Sequence, residues 1–143
     1  MDSEAEILLE RAEYEILTAE ILKRLSEESE VKQTLKIPSN TTFYSSVIGH
    51  AYYAIFYGAK CYLILKKIAL PEQGQHNAVY LKFKKLVKDG ELDKELLDIY
   101  EDAKIKAETL LSILKDEQEK RTHYTYKTFP QANKEPAEKS INN

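Results

Sequence analysis

Residues 45–63 read Ser45-Ser46-Val47-Ile48-Gly49-His50-Ala51-Tyr52-Tyr53-Ala54-Ile55-Phe56-Tyr57-Gly58-Ala59-Lys60-Cys61-Tyr62-Leu63. Apolar and small residues recur at four-residue steps: Val47/Ile48, Ala51/Tyr52, Ile55/Phe56, Ala59 and Tyr62/Leu63. That is the period of a helix with one broad buried face. The spacing makes 41–68 the central core helix. Gly49 and Gly58 fall inside it, and each costs a helix ~1 kcal/mol relative to Ala. Close approach of a neighbouring helix is the structural reason to expect for accepting that cost.

Helical periodicity continues on both sides. Residues 2–30 carry Ile7, Leu8, Tyr14, Leu17, Ile21, Leu22 and Leu25 at three- and four-residue steps. Acidic residues crowd the first turns, where they suit the positive end of the helix dipole. Pro38 breaks the pattern, with Ser39, Asn40 and Thr41 behind it as N-cap candidates. Pro71 and Gly74 mark a loop over 69–75. A shorter helix over 76–88 turns Val79, Phe83, Leu86 and Val87 inward. Asp89-Gly90 reads as a helix stop followed by a restart. The last long helix covers 92–118, with Leu96, Ile99/Tyr100, Ala103, Ala107, Leu110/Leu111 and Leu114 as its stripe. After residue 120 the β-branched and aromatic run to Phe129 suggests extended chain. The expected fold is all-α: an antiparallel, up-and-down bundle of four to five helices with an extended C-terminal tail. One domain covers 1–129, and 130–143 form a flexible tail.

Composition narrows the class. The chain has 143 residues and is 43% hydrophobic, enough for one buried core. Only four Gly and four Pro leave too few turns for a many-stranded sandwich or barrel. The net charge is -3, so the bulk basic footprint of a nucleic-acid binder is absent and any basic surface is local. The charge is also uneven. Residues 1–30 hold ten acidic and three basic residues, a net of -7, and the remainder is +4. Such asymmetry orients a charged partner, although a solvated helix face gives the same pattern. Cys61 is the lone cysteine, which excludes an internal disulfide and a multi-cysteine zinc site. The acidic N-terminus is unlike a signal peptide, and no apolar run approaches the ~18 residues of a spanning helix. The expectation is a soluble cytoplasmic protein.

Few residues here can carry chemistry. The histidines are His50, His76 and His123; the arginines are Arg11, Arg24 and Arg121. No HExxH, EF-hand or Walker A pattern occurs, and no metal or cofactor is expected. In an extended segment Arg121 and His123 point to one face. A guanidinium can fork onto phosphate, and the imidazole can exchange a proton with a ribose hydroxyl or a leaving oxygen. A capping Arg beside a surface His at a helix end reads the same way. Ten tyrosines without a tryptophan is a second bias. Tyrosines stack on bases, and they also fill helix interfaces. Lys82, Lys84, Lys85 and Lys88, with Lys66 and Lys67, offer a modest anion-binding patch or a solvated face.

Taken in order, the run from Ser45 to Phe56, the Pro/Gly loop leading to His76, Phe83, and Arg121-Thr122-His123-Tyr124 resemble the small prokaryotic members of the HEPN (higher eukaryotes and prokaryotes nucleotide-binding) family. The "A-Y-Y-A-x-F" helix and the terminal "R-x-[DH]-Y" carry the resemblance, which covers residues 5–126.

The resemblance implies a helical bundle, a homodimer, and a nucleotidyltransferase-fold partner in a toxin–antitoxin type pair. It implies binding of RNA or nucleotide, and in active members a metal-independent RNase. Arg121 matches the family Arg, His123 an acidic position of close relatives, and Tyr124 the Tyr after it. These give Arg121 and His123 as candidate catalytic residues. Tyr124, His50, Tyr52, Tyr53 and His76 are the candidate nucleotide- or RNA-binding residues. Relatives often place a histidine where His76 stands, and His76-Asn77 can equally cap a helix. One departure is plain: only Thr122 separates Arg121 from His123, whereas the family's RNase motif spaces Arg and His by four to six residues. Two other functions fit the same residues. One is a non-catalytic interaction or dimerisation module. The other is a substrate of the partner nucleotidyltransferase, modified on Tyr124 or Tyr126.

Overall fold

Asp2 starts the first helix. Its carboxylate accepts from the Glu4 N–H at 2.7 Å and the Ala5 N–H at 3.4 Å, meeting two of the amides that a helix start leaves open. The computed structural model describes residues 2–127, with side chains to Asp116 except Leu114. Every regular element among them is helical: α1 (Ser3–Glu27), α2 (Ser29–Thr34), α3 (Tyr44–Leu65), α4 (Gln75–Lys88) and α5 (Lys94–Lys127). No helix among the described residues is long and apolar enough to cross a membrane. The chain divides into two units, Met1–Lys104 and Ile105–Asn143, with α5 running through the boundary.

In the first unit α1 packs along α3, and α3 packs against α4. The main core joins Phe56, Ala59 and Leu63 of α3, Val79, Phe83 and Leu86 of α4, and Leu97 and Tyr100 of α5. Burying each large aliphatic or Phe side chain contributes about 1.5–3 kcal/mol. A smaller core joins Ala5 and Leu8 of α1 to Cys61 of α3, whose thiol donates to the Ala5 carbonyl at 3.3 Å.

The face that α1 buries differs from the one its hydropathy suggests. Of the expected stripe Leu8 is buried and Leu22 and Leu25 are half-buried, but Ile7, Tyr14, Leu17 and Ile21 are exposed, and Ala5, Ala12, Ala19 and Ser26 are buried instead. Ala5, Ala12, Ala19 and Ser26 recur every seven residues, so a stripe of small side chains faces α3 and allows close approach of the two backbones. In α5 the expected stripe holds at Tyr100, which is buried, and at Ala103, Ala107 and Leu110, which are half-buried, whereas Leu96, Ile99 and Leu111 are exposed and Leu97 is buried beside them.

The boundaries bring further corrections. Phe43, not Ser39, Asn40 or Thr41, is the N-cap of α3. The expected caps serve the preceding turn instead. The Thr41 N–H donates to the Pro38 carbonyl, and the buried Lys32 ammonium donates to the Ser39 carbonyl at 3.0 Å. The Phe43 N–H donates to Ser26 Oγ at 2.7 Å and ties the start of α3 to the end of α1. His76-Asn77 does not cap α4; left-handed Gly74 precedes its first turn. Asp89-Gly90 does stop α4, with Gly90 left-handed at φ 81° and the Glu91 N–H donating back to the Leu86 carbonyl. Gly49 and Gly58 admit no close neighbour: a Cβ at either meets nothing within 4 Å. Close helix approach therefore does not account for them.

The backbone stays helical to Lys127, so the extended run expected after residue 120 is not present as far as Lys127. No Gly or Pro lies between Gly90 and Pro130, and β-branched residues only weakly disfavour a helix. On a helix, positions 121 and 123 are about 200° apart around the axis, so the shared face expected from an extended segment is lost. Residues 128–143, including the expected tail, lie outside the described residues.

Two outcomes are expected from this packing. Ala12→Leu forces bulk into the α1–α3 contact and should cost about 1–3 kcal/mol in denaturant unfolding. Tyr14→Ala on the same helix, measured in dilute protein, should stay within about 0.5 kcal/mol of wild type. Separately, the fully buried Tyr100 hydroxyl has no hydrogen-bond partner among the described residues. A buried unpaired hydroxyl is costly, so Tyr100→Phe should leave stability unchanged or raise it by about 1–2 kcal/mol.

Candidate functional site

One face of α3 is left uncovered where α1 passes it. Ser46, the adjacent Gly49 and His50, Tyr53 and Tyr57 follow one another at helical steps of three or four residues and, with Glu15 of α1, line an open cavity of about 350 Å³. That volume falls in the ~300–1,000 Å³ range of small-molecule sites. Gly49 contributes no side chain, which keeps the cavity open at its middle.

His50 and Glu15 form the polar centre. The His50 Nδ1–H donates to the Glu15 carboxylate. A carboxylate only accepts, so in neutral His50 the proton sits on Nδ1 and Nε2 keeps a lone pair. Glu15 is mostly covered, at 16% side-chain exposure, while His50 is 36% exposed. This is an oriented imidazole, able to accept a hydrogen bond or a proton. The Arg11 guanidinium, one turn before Glu15 on α1, lies 4.4 Å from the centroid of the Tyr57 ring. A cation over an aromatic face is attracted to it, and the contact holds Arg11 beside the cavity.

An aromatic cluster adjoins this cavity through Tyr53. The Tyr53 and Tyr57 rings stack at 5.9 Å, and Tyr53 meets His76 edge-on at 5.8 Å. His76, in the first turn of α4, stacks flat on Phe56 at 3.9 Å, and its Nδ1 lies 3.1 Å from the Tyr52 hydroxyl. Partial burial is the larger reason that His76 titrates below its usual range, and the positive charge of Lys60 adds to it.

The structure thus brings four of the expected binding residues together. His50 and Tyr53 line the cavity, and Tyr52 and His76 join it through shared ring contacts. Arg121, His123 and Tyr124 stand on α5 in the second unit, and their side chains lie outside the described residues. Glu15 and Arg11 were not singled out by the sequence, although Glu15 stands between Ala12 and Ala19 at the edge of the small-residue stripe. Cys61 is buried, and burial raises its thiol pKa, which disfavours the thiolate. No group of three or more metal-ligating side chains occurs among the described residues. No family model, curated protein or solved structure matches the chain.

A histidine with a lowered folded-state pKa takes up protons less readily than in the unfolded chain. Its contribution to stability is therefore present above its ordinary value of 6.5 and is lost as pH falls through the depressed one. NMR titration should find His76 below 6.5. Lys60→Met should raise it only part of the way, since burial remains. A His76 midpoint at or above the ordinary value rules this account out.

Proposed function

We propose that this chain is a nucleotide-binding helical domain of the HEPN type, and that the α1–α3 cavity receives a base of RNA or of a free nucleotide. The observation that carries this reading is the pairing of an exposed ring, Tyr53, and a half-buried one, Tyr57, with an oriented polar group. Tyr53, exposed and backed by Tyr57, presents a ring for stacking, and His50, fixed by Glu15, supplies a hydrogen-bonding edge. Arg11 stands beside them to meet phosphate. The helices form an up-and-down bundle in this reading, and the protein works in the cytoplasm as a homodimer paired with a nucleotidyltransferase-fold protein. Arg121 and His123 are its proposed catalytic pair for metal-free RNA cleavage, and Tyr124 adds to the binding surface. The resemblance in sequence supports these roles, while the Arg-x-His spacing counts against cleavage.

A second reading, a non-catalytic interaction module, is favoured by one observation: the outer face of α1 exposes Ile7, Tyr14, Leu17 and Ile21.

Binding is tested by titrating the protein with AMP, UMP and a short single-stranded RNA, followed by NMR shifts and anisotropy. Wild type should bind at least one of them. Tyr53→Ala should weaken binding roughly 5- to 150-fold, the worth of one base stack. Glu15→Gln should weaken it less, and Ile16→Ala should leave it unchanged. No shift at the cavity with any of the three probes sinks the nucleotide reading. RNA incubated in chelator with wild type, Arg121→Ala and His123→Ala separates cleavage from binding alone.

A further inference from the structure

The outer face of α1 is apolar where a solvated helix has no need to be. Ile7, Tyr14, Leu17 and Ile21 are 58%, 68%, 55% and 48% exposed. At about 100° per residue these four positions fall within roughly 80° of the helix circumference, opposite the buried small-residue stripe. Glu10 falls in the same sector between Ile7 and Tyr14, so the strip is apolar with one acidic position inside it, and an exposed strip of this kind marks an interaction surface. Glu6, Glu10, Glu13 and Glu20 run along and beside it, all exposed, and none forms an ion pair among the described residues. Two such helices repel each other, since residues 1–30 carry a net charge of -7. The face needs a partner that is apolar in the middle and basic at the rim.

The same unit carries a surface of that chemistry. The end of α4, its turn and the start of α5 enclose an open groove of about 730 Å³. Leu81, Val87 and Leu97 supply its apolar lining, and Lys84, Lys85, Lys88 and Lys94 surround them, with Asp89 the one acid lining it. None of these lysines forms an ion pair among the described residues. An apolar groove with a charged rim takes an amphipathic helix of opposite charge. The α1 of the same molecule cannot fill it, because α1 is held against α3 by its opposite face.

We propose that α1 of one molecule docks by its acidic, apolar outer face into the lysine-rimmed α4–α5 groove of a second copy of this chain. The contact joins unlike surfaces. Two such contacts close a reciprocal dimer around a two-fold axis; without closure, assembly continues. The proposal names an interface for the homodimer of the preceding reading and rests on it for self-association alone; nucleotide binding does not depend on it.

Two charge-reversed proteins test it. The groove variant carries Lys84→Glu and Lys88→Glu, and the helix variant carries Glu10→Lys and Glu13→Lys. All four positions are exposed, and far-UV circular dichroism confirms that each variant keeps its helices. Wild type should self-associate in sedimentation velocity across a concentration series, and more weakly at high salt. Each variant alone should associate at least about tenfold more weakly, a difference of about 1.4 kcal/mol. Mixed in equal amounts, they should recover a one-to-one complex, because the intact helix of one meets the intact groove of the other. A wild type that stays monomeric throughout overturns the proposal. So does a variant that associates like wild type, or a mixture that stays monomeric. A monomeric wild type removes the homodimer as well, a variant that associates like wild type removes only this interface, and nucleotide binding, measured separately, stands or falls on its own.

Discussion

The close contact between α1 and α3 governs the rest of the first unit. It depends on side-chain volume more than on hydropathy. Ala5, Ala12, Ala19 and Ser26 present almost no bulk at seven-residue intervals, so α1 lies near the α3 backbone along much of its length. At the N-terminal end this closeness brings the Cys61 thiol to the Ala5 carbonyl. At the other end it brings Ser26 Oγ to the Phe43 N–H and sets where α3 begins. Between them it brings Glu15 onto His50. The cavity polarity thus follows from the packing: Glu15 is held by its helix, and His50 is held by Glu15.

That same packing explains why the larger apolar residues of α1 face outward. A helix has one inner face, and small residues occupy it here. Ile7, Tyr14, Leu17 and Ile21 are left on the far side, where burying them requires another surface. A stripe chosen from sequence by hydrophobicity therefore identifies the helix correctly and mixes its two sides: Leu8 is buried and Leu22 and Leu25 half-buried, while Ile7, Tyr14, Leu17 and Ile21 face outward. Periodicity reports that a helix is amphipathic. It does not report whether the apolar side meets its own core or a partner's.

Much of the fold was legible for reasons of this first kind. α3, α4 and the stop at Asp89-Gly90 follow from four-residue spacing and from a glycine able to adopt φ above zero. What was not legible depends on tertiary contacts. Phe43 caps α3 without a side-chain bond of its own, because Ser26, seventeen residues earlier, accepts its amide hydrogen. Gly49 resembles a packing glycine, but it borders open space in the cavity. α5 continues to Lys127 because nothing in the sequence stops it, and a preference for extended structure in Thr and Tyr is too weak to do so. In the site, His50, Tyr52, Tyr53 and His76 were named from α3 and the start of α4. Glu15 could be reached only by asking which acid lies beside the small-residue stripe.

The tyrosine bias has no single explanation, and its members show how one residue type serves several environments. Tyr44 reaches Glu27 with its hydroxyl at 3.1 Å, joining α3 to the end of α1. Tyr52 places its hydroxyl against His76, and Tyr53 and Tyr57 line the cavity. In each, the ring contributes apolar area and the hydroxyl or ring edge remains available to a polar neighbour. Tyr100 departs from that pattern. It is fully buried against Tyr80 and Phe83, and its pKa is driven up, mainly by burial. Phe would satisfy the packing at Tyr100 without stranding a hydroxyl. Among the described residues the Tyr100 hydroxyl has no partner, and stability alone gives no reason to keep it in the core, so Tyr100 is a core position that stability does not explain.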